Sequence, residues 1–149
     1  MQKATDETFF MDTNIPMYAA GRPSQFKIPC IRILEKIERG RLKVAIDTEV
    51  IQEILYRYHN IRLDAQAIQL SRQVLRLGLR VLPVTRSEME MAISLHEKYS
   101  RMRIPPRDSL HVAVMLGNNL TKILTVDKHF QVIQEVESID PTKLPSDTS

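Results

Sequence analysis

The sequence of 149 residues has no tryptophan, four glycines and a single cysteine. One thiol, Cys30, excludes an intramolecular disulfide framework. Four glycines leave too little for a phosphate-cradling loop, and no GxxxxGK[ST] segment occurs. The 5% aromatic content argues against an extended platform for stacking bases. No apolar run approaches the roughly 20 residues that span a bilayer. The opening residues MQKATDETFF lack the apolar core of a signal peptide. These absences lead to the expectation of a cytoplasmic, reduced protein with no membrane partner.

What is present reads as globular. Apolar residues make up 43% and charged residues 26%, close to the soluble average. The length suits one core, so the expected organisation is a single domain over residues 1–140. The remaining PTKLPSDTS, 141–149, is expected to be a disordered tail. Twenty-one Lys and Arg against eighteen Asp and Glu give a net charge of +3 and a pI near 9.1. That excess is permissive for nucleic acid and diagnostic of nothing, because only clustered cations hold a phosphate backbone.

Along the chain, apolar 7–11 reads as a strand ending in a polar Asp12-Thr13-Asn14 loop, with Pro23 and Pro29 punctuating the next stretch. A helix is expected over 29–39, a strand over 42–46, and a helix after Asp47 or Thr48 carrying Val50, Ile51, Ile54 and Tyr58. A helix over 64–77 is expected to turn Ile68, Val74 and Leu75 inward; RVLPV, 80–84, reads as an edge strand because of Pro83. The next helix runs to about Tyr99 with Ala92, Ile93 and Leu95 inward. A basic loop, 100–107, precedes a helix from Asp108, a strand over 122–126, a short KHF turn and a fifth strand within 132–139. Strands separated by helical stretches argue for parallel β-α-β units. The fold expected is α/β: a three-layer α/β/α sandwich around a mainly parallel sheet of about five strands.

In such a sheet ligands bind beyond the carboxyl ends of the strands. Asp12 and Asp127 follow strands, Asp108 opens a helix, and Glu53 lies about one turn into another. Four carboxylates can therefore converge on one cleft. Their oxygen ligands suit Mg²⁺ or Mn²⁺, and a cation relieves their mutual repulsion. Metal-assisted phosphodiester hydrolysis fits such a set, although acids at helix starts also serve as caps. Asp47 reads as such a cap.

FFMDTNIPMYAAG, VAIDTEVIQEILYRY and PPRDSLHVAVMLGNNLTKILTVDKHF stand in order over residues 8–130. They resemble the motifs of PIN domains, named from the PilT N-terminus. The resemblance implies a PIN-like fold and a Mg²⁺- or Mn²⁺-dependent endoribonuclease, with Asp12, Glu53, Asp108 and Asp127 as the catalytic, metal-binding set. It further implies that Asn14 and Thr125 orient ligands or water from behind those acids. Glu-x-Leu-Tyr, here Glu53-Ile54-Leu55-Tyr56, favours Glu53 over Glu49. Many small prokaryotic PIN proteins are toxins of VapC type, so an RNA substrate, a small antitoxin and a homodimer are the implied partners.

Other readings stand beside this one. A non-catalytic α/β module binding metal or a basic partner, and a nuclease acting on DNA, are both compatible with the residues. Lys98, Arg101, Arg103 and Arg107 form either a phosphate-holding rim or a solvated loop, with Arg107 the best placed to meet substrate. The four histidines suggest no metal cluster, and His129 reads as a solvated turn residue.

Overall fold

The computed structural model describes residues 7–144. Five strands form one sheet: β1 (Thr8–Met11), β2 (Lys43–Asp47), β3 (Arg80–Leu82), β4 (Lys122–Leu124) and β5 (Glu137–Ile139). Their spatial order is β3-β2-β1-β4-β5. Every pairing is parallel, with Phe10 opposite both Ala45 and Ile123. RVLPV contributes β3, which does lie at the edge, and Pro83 falls just beyond its end.

Six helices connect them: α1 (Asn14–Ala20), α2 (Lys27–Glu38), α3 (Thr48–Asn60), α4 (Asp64–Leu75), α5 (Arg86–Lys98) and α6 (Pro106–Gly117). The chain moves one way from β1 to β3 and the other way from β3 to β5. Right-handed crossovers therefore put α1 to α4 on one face and α5 and α6 on the other. The packing agrees: α1 meets α2 and α4, α3 meets α4, and α5 meets α6. The three-layer α/β architecture expected from the sequence is present.

The core is apolar and strand-centred: Phe10, Met11, Ile46, Ile123 and Leu124 are fully buried beneath Ile15, Ile54 and Phe130. Helix α6 is buried continuously from Asp108 to Met115, so it is an inner helix rather than an amphipathic cover.

Four local readings need correction. The polar loop after β1 lasts two residues, and α1 begins at Asn14. Helix α2 begins at Lys27, two residues before Pro29, and α6 at Pro106, two before Asp108. In each case proline sits in the first turn, where its missing N–H leaves no helical bond unmade. Ordered chain also continues past residue 140. Asp140 accepts from the Thr142 N–H at 2.8 Å, and a single 3-10 turn, Pro141–Lys143, packs beside α2 with Pro141 buried. The rest of the expected tail, 145–149, lies outside the described residues. Among the described residues no helix is long and apolar enough to cross a membrane.

Candidate metal centre

The direction of the crossovers reverses between β1 and β4, adjacent strands in the sheet. Flanking helices leave opposite faces there and open a crevice at the strand ends. Asp12 follows β1 directly, and Thr125 follows β4. The Thr125 hydroxyl donates to Asp12 Oδ2 at 2.7 Å, and the Asn14 amide donates to the same oxygen at 3.1 Å. The Thr13 N–H donates to Asp12 Oδ1 at 2.7 Å. Asn14 and Thr125 are themselves joined at 3.1 Å, and the Asp127 N–H donates to Thr125 Oγ1 at 2.9 Å. Two strand ends are thus tied into one rigid bracket around a buried carboxylate.

Glu53 comes from α3. Asp47 caps that helix by accepting from the Val50 N–H at 3.0 Å, which brings the next turn back over the crevice. Glu53 Oε1 accepts from the Thr13 hydroxyl at 2.6 Å, while Oε2 lies 2.6 Å from Arg107 Nη1 and 3.4 Å from Arg57 Nη1. Burial would raise the Glu53 carboxyl, but His111, Thr13 and Arg107 outweigh it and hold the group at about 2. Glu49, one turn earlier, lines an adjoining groove with Val84, Ala92, Ile93 and Arg107.

Asp108 enters from the first turn of α6. Burial, then the charges of Asp12 and Asp127, push its carboxyl up to about 7. Its Oδ2 is buried without a hydrogen-bond partner among the described residues. His129 Nδ1 stands 3.6 Å from that oxygen and 2.8 Å from Asp127 Oδ1. Burial also raises Asp12, against the pull of His111. The acids singled out in the sequence stand in two neighbouring groups, Asp12 and Glu53 with His111, and Asp108 and Asp127 with His129, linked by the charge of Asp12 on Asp108. Glu53 has its cations and Asp12 its donors; Asp108 faces the charges of Asp12 and Asp127, and its Oδ2 accepts no hydrogen bond among the described residues. A buried carboxylate oxygen without a hydrogen bond, beside further carboxylates, is what a hard divalent cation satisfies. These residues could hold a divalent metal ion.

Sequence reasoning missed His111. Its ring is fully buried, stacks obliquely 5.3 Å from Phe10, and pairs through Nδ1 with Asp47 Oδ2 at 2.7 Å. Nε2 lies 3.8 Å from Glu53 Oε1, an ion-pair distance rather than a hydrogen bond. Burial alone would discharge this imidazole; Asp47 and Glu53 instead raise it to about 10. His111 is thus a buried cation locking β2, α3 and α6 together. The available signal was spacing, since Asp108 and His111 stand three apart on one helix. His129 likewise bridges Asp108 and Asp127 rather than standing solvated alone. Of the basic stretch, Arg107 reaches the acids, whereas Lys98 is turned away onto Glu135 at 2.7 Å.

Comparison with known proteins identifies the family and the fold. The family model described as PIN domain matches residues 9–136. The protein named Ribonuclease VapC13, from Mycobacterium tuberculosis, is 34% identical over 122 residues, covering 80% of this chain and 90% of that protein. Among solved structures, the Mycobacterium tuberculosis VapC20, described as a Sarcin-Ricin loop cleaving toxin, superposes with a TM-score of 0.71. It has 16% identity and covers 87% of this chain and 97% of that one. The DNA-bound VapBC of Salmonella typhimurium gives a TM-score of 0.70 at 15% identity, over 91% of this chain and 98% of its own.

Proposed function

From the premise that this chain belongs to the PIN-domain family, we propose that it is a Mg²⁺- or Mn²⁺-dependent endoribonuclease, the toxin of a toxin-antitoxin pair. The observation that carries the metal site is the buried Asp108 Oδ2, which accepts no hydrogen bond among the described residues and faces the charges of two further acids. Asp12, Asp108 and Asp127 hold the ion, and Glu53 closes the set from α3. When bound, the divalent ion supplies Lewis acidity and an activated water for phosphodiester hydrolysis.

The chain's own residues do the positioning. Asn14 and Thr125 fix the rotamer of Asp12 through two hydrogen bonds to one oxygen, leaving its charge aimed at the crevice. Arg107, about a third exposed and tied to Glu53, stands at the mouth with free N–H groups for a phosphate oxygen. His111, with Thr13 and Arg107, favours the ionised form of Glu53.

The reading extends to partners. A small antitoxin protein is proposed because neighbours of this fold are described as VapBC complexes. A homodimer is supported by the apolar groove between α5 and the start of α6. Ile93, expected inward, is 65% exposed there, and Met89 lies beside it. Sedimentation at micromolar concentration checks this, and a monomer would remove that part. An RNA substrate implies that the protein works in the cytoplasm. Incubation of the purified protein with RNA, in Mn²⁺ and in EDTA, tests the activity. Cleavage should require the metal and be lost in Asp108→Asn. Metal-independent cleavage, or full activity in that variant, would remove the proposal.

A further inference from the structure

An open cleft of about 740 Å³ lies between the end of α1 and the start of α2, and its lining includes Asn14, Tyr18, Arg22, Phe26, Asp127 and Lys128. Its size falls within the roughly 300–1,000 Å³ typical of clefts that hold one small organic ligand. Asn14 and Asp127 belong to the acid site, so cleft and site are continuous. The far wall is a tied-down loop. Lys27 Nζ donates to the Gly21 carbonyl, and the Phe26 N–H donates to Ser24 Oγ at 3.2 Å. A side chain at Gly21 would meet the Met17 carbonyl at 2.9 Å, so glycine fits this turn where a larger residue would force a shift.

Two features of this wall have complementary chemistry. Tyr18 and Phe26 stand edge to face with centroids 5.1 Å apart and an interplanar angle of 61°, giving the cleft an aromatic lining. Arg22 and Lys128 are exposed and have no hydrogen-bond or ion-pair partner among the described residues. An aromatic surface flanked by uncommitted cations, beside a site for phosphodiester hydrolysis, matches a nucleotide: a π-face and a phosphate. A basic peptide would be repelled by the same cations.

We propose that this cleft seats one unpaired nucleotide of the substrate strand, adjoining the bond to be cut. Its base lies against the Tyr18–Phe26 pair, and its phosphate lies between Arg22 and Lys128. The assignment rests on the nuclease reading above and sharpens it. A base inside a duplex is covered on both faces, so the substrate must be single-stranded where it crosses α1, in a loop, bulge or free end. The low aromatic content that argues against an extended platform is compatible with a seat for one base.

Fluorescence anisotropy of a short labelled single-stranded RNA on the intact protein, in EDTA so that hydrolysis does not interfere, tests the seat. The double variant Tyr18→Leu/Phe26→Leu should bind about tenfold more weakly, the scale of one base–aromatic stack. An abasic ribose-phosphate oligomer should bind the unaltered protein as weakly as RNA binds that variant. Arg22→Gln/Lys128→Gln should reduce the salt slope of log K by about 0.7, the value for one phosphate of a single strand. Both cations are exposed, so that variant keeps the test decisive if the ring variant fails to fold. Equal affinity for RNA and abasic oligomer, unchanged binding in the variants, or no binding at all would overturn the seat and leave the cleft to a protein segment. Separate failures stay distinguishable. RNA bound as described but never cut in Mn²⁺ removes the nuclease and keeps the seat. RNA cut at an undiminished rate by both variants removes the seat and keeps the nuclease.

Discussion

At the residue scale, Asp12 and Asp108 carry shifts opposite to that of Glu53, and this decides how the metal-free protein responds to pH. Asp108 is raised to about 7 from an ordinary 3.8, and Asp12 is raised as well. A carboxyl raised on folding binds its proton more tightly in the native state. Its ionisation therefore destabilises the fold progressively as pH rises from about 4 to 7. Glu53, held at about 2, loses its stabilising contribution only below pH 4.5, and His111, raised to about 10, loses its own only above pH 6.5. Between pH 4.5 and 6.5 the raised aspartates dominate. In EDTA the melting temperature should climb as pH falls through that window, and Asp108→Asn should flatten the climb and melt higher than the unaltered chain at pH 7. A melting temperature that falls with pH there would contradict the crowding of acids at this site. The two glutamates of α3 separate as sharply. Glu53→Gln should lower cleavage about 100-fold, the scale for a disturbed metal site, while Glu49→Gln, in another groove, should change it little. Side-by-side rates in saturating Mn²⁺ check the ranking. These acids are legible in the sequence because each follows an apolar strand or lies within the first turns of a helix. The Asp47–His111 pair is not, since nothing local says which histidine meets an aspartate 64 positions away.

At the element scale, the departures of the structure from the sequence reading have one main cause. Pro29 reads as a helix start and Pro106 as loop, whereas both lie within the first turns of helices that begin at Lys27 and Pro106, and α1 carries Pro16 in its own first turn. Helical faces are less legible than helices. In α4 the inward residues are Ala67, Leu70 and Val74, with Ile68 and Leu75 about half exposed, because small residues do the packing and large ones face out. Such a face cannot be chosen by hydrophobicity alone. The two helix-end glycines give a paired check of the local geometry. Gly21→Ala drives a methyl against the Met17 carbonyl and should destabilise by about 1–3 kcal/mol, the range of overpacking. Gly117 closes α6 with only the Glu88 carboxylate near its would-be methyl, at 3.7 Å. Gly117→Ala should therefore stabilise by about 0.5–1 kcal/mol through helix propensity. Denaturant midpoints of the two variants should move in opposite directions; movement in the same direction would mean that α1 does not end as described.

At the scale of the whole molecule, the site and the core are one structure. Its acids hang from the ends of β1 and β4 at the reversal of the sheet, from α3 after β2, and from the buried helix α6, positions spread from Asp12 to Asp127. Local segments of this sequence announce their strands, but only the order β3-β2-β1-β4-β5 makes β1 and β4 neighbours. That order depends on crossover handedness, which no short motif contains. A cation gripping all four elements should therefore oppose global unfolding rather than stiffen one loop. At a hundredfold excess over its Kd, Mn²⁺ should add about 2.7 kcal/mol, a rise of roughly 5–11 °C in melting temperature for a domain of this size. Hydrogen exchange should slow at the slowest amides of β1, β4 and α6 together, since these open only when the whole sheet opens. Asp127→Asn should remove most of both effects while leaving metal-free stability equal or higher. Protection confined to the 3-10 turn after Asp127, with the strand amides unchanged, would show that the ion binds a surface turn and that the acids of the crevice do not act as one site.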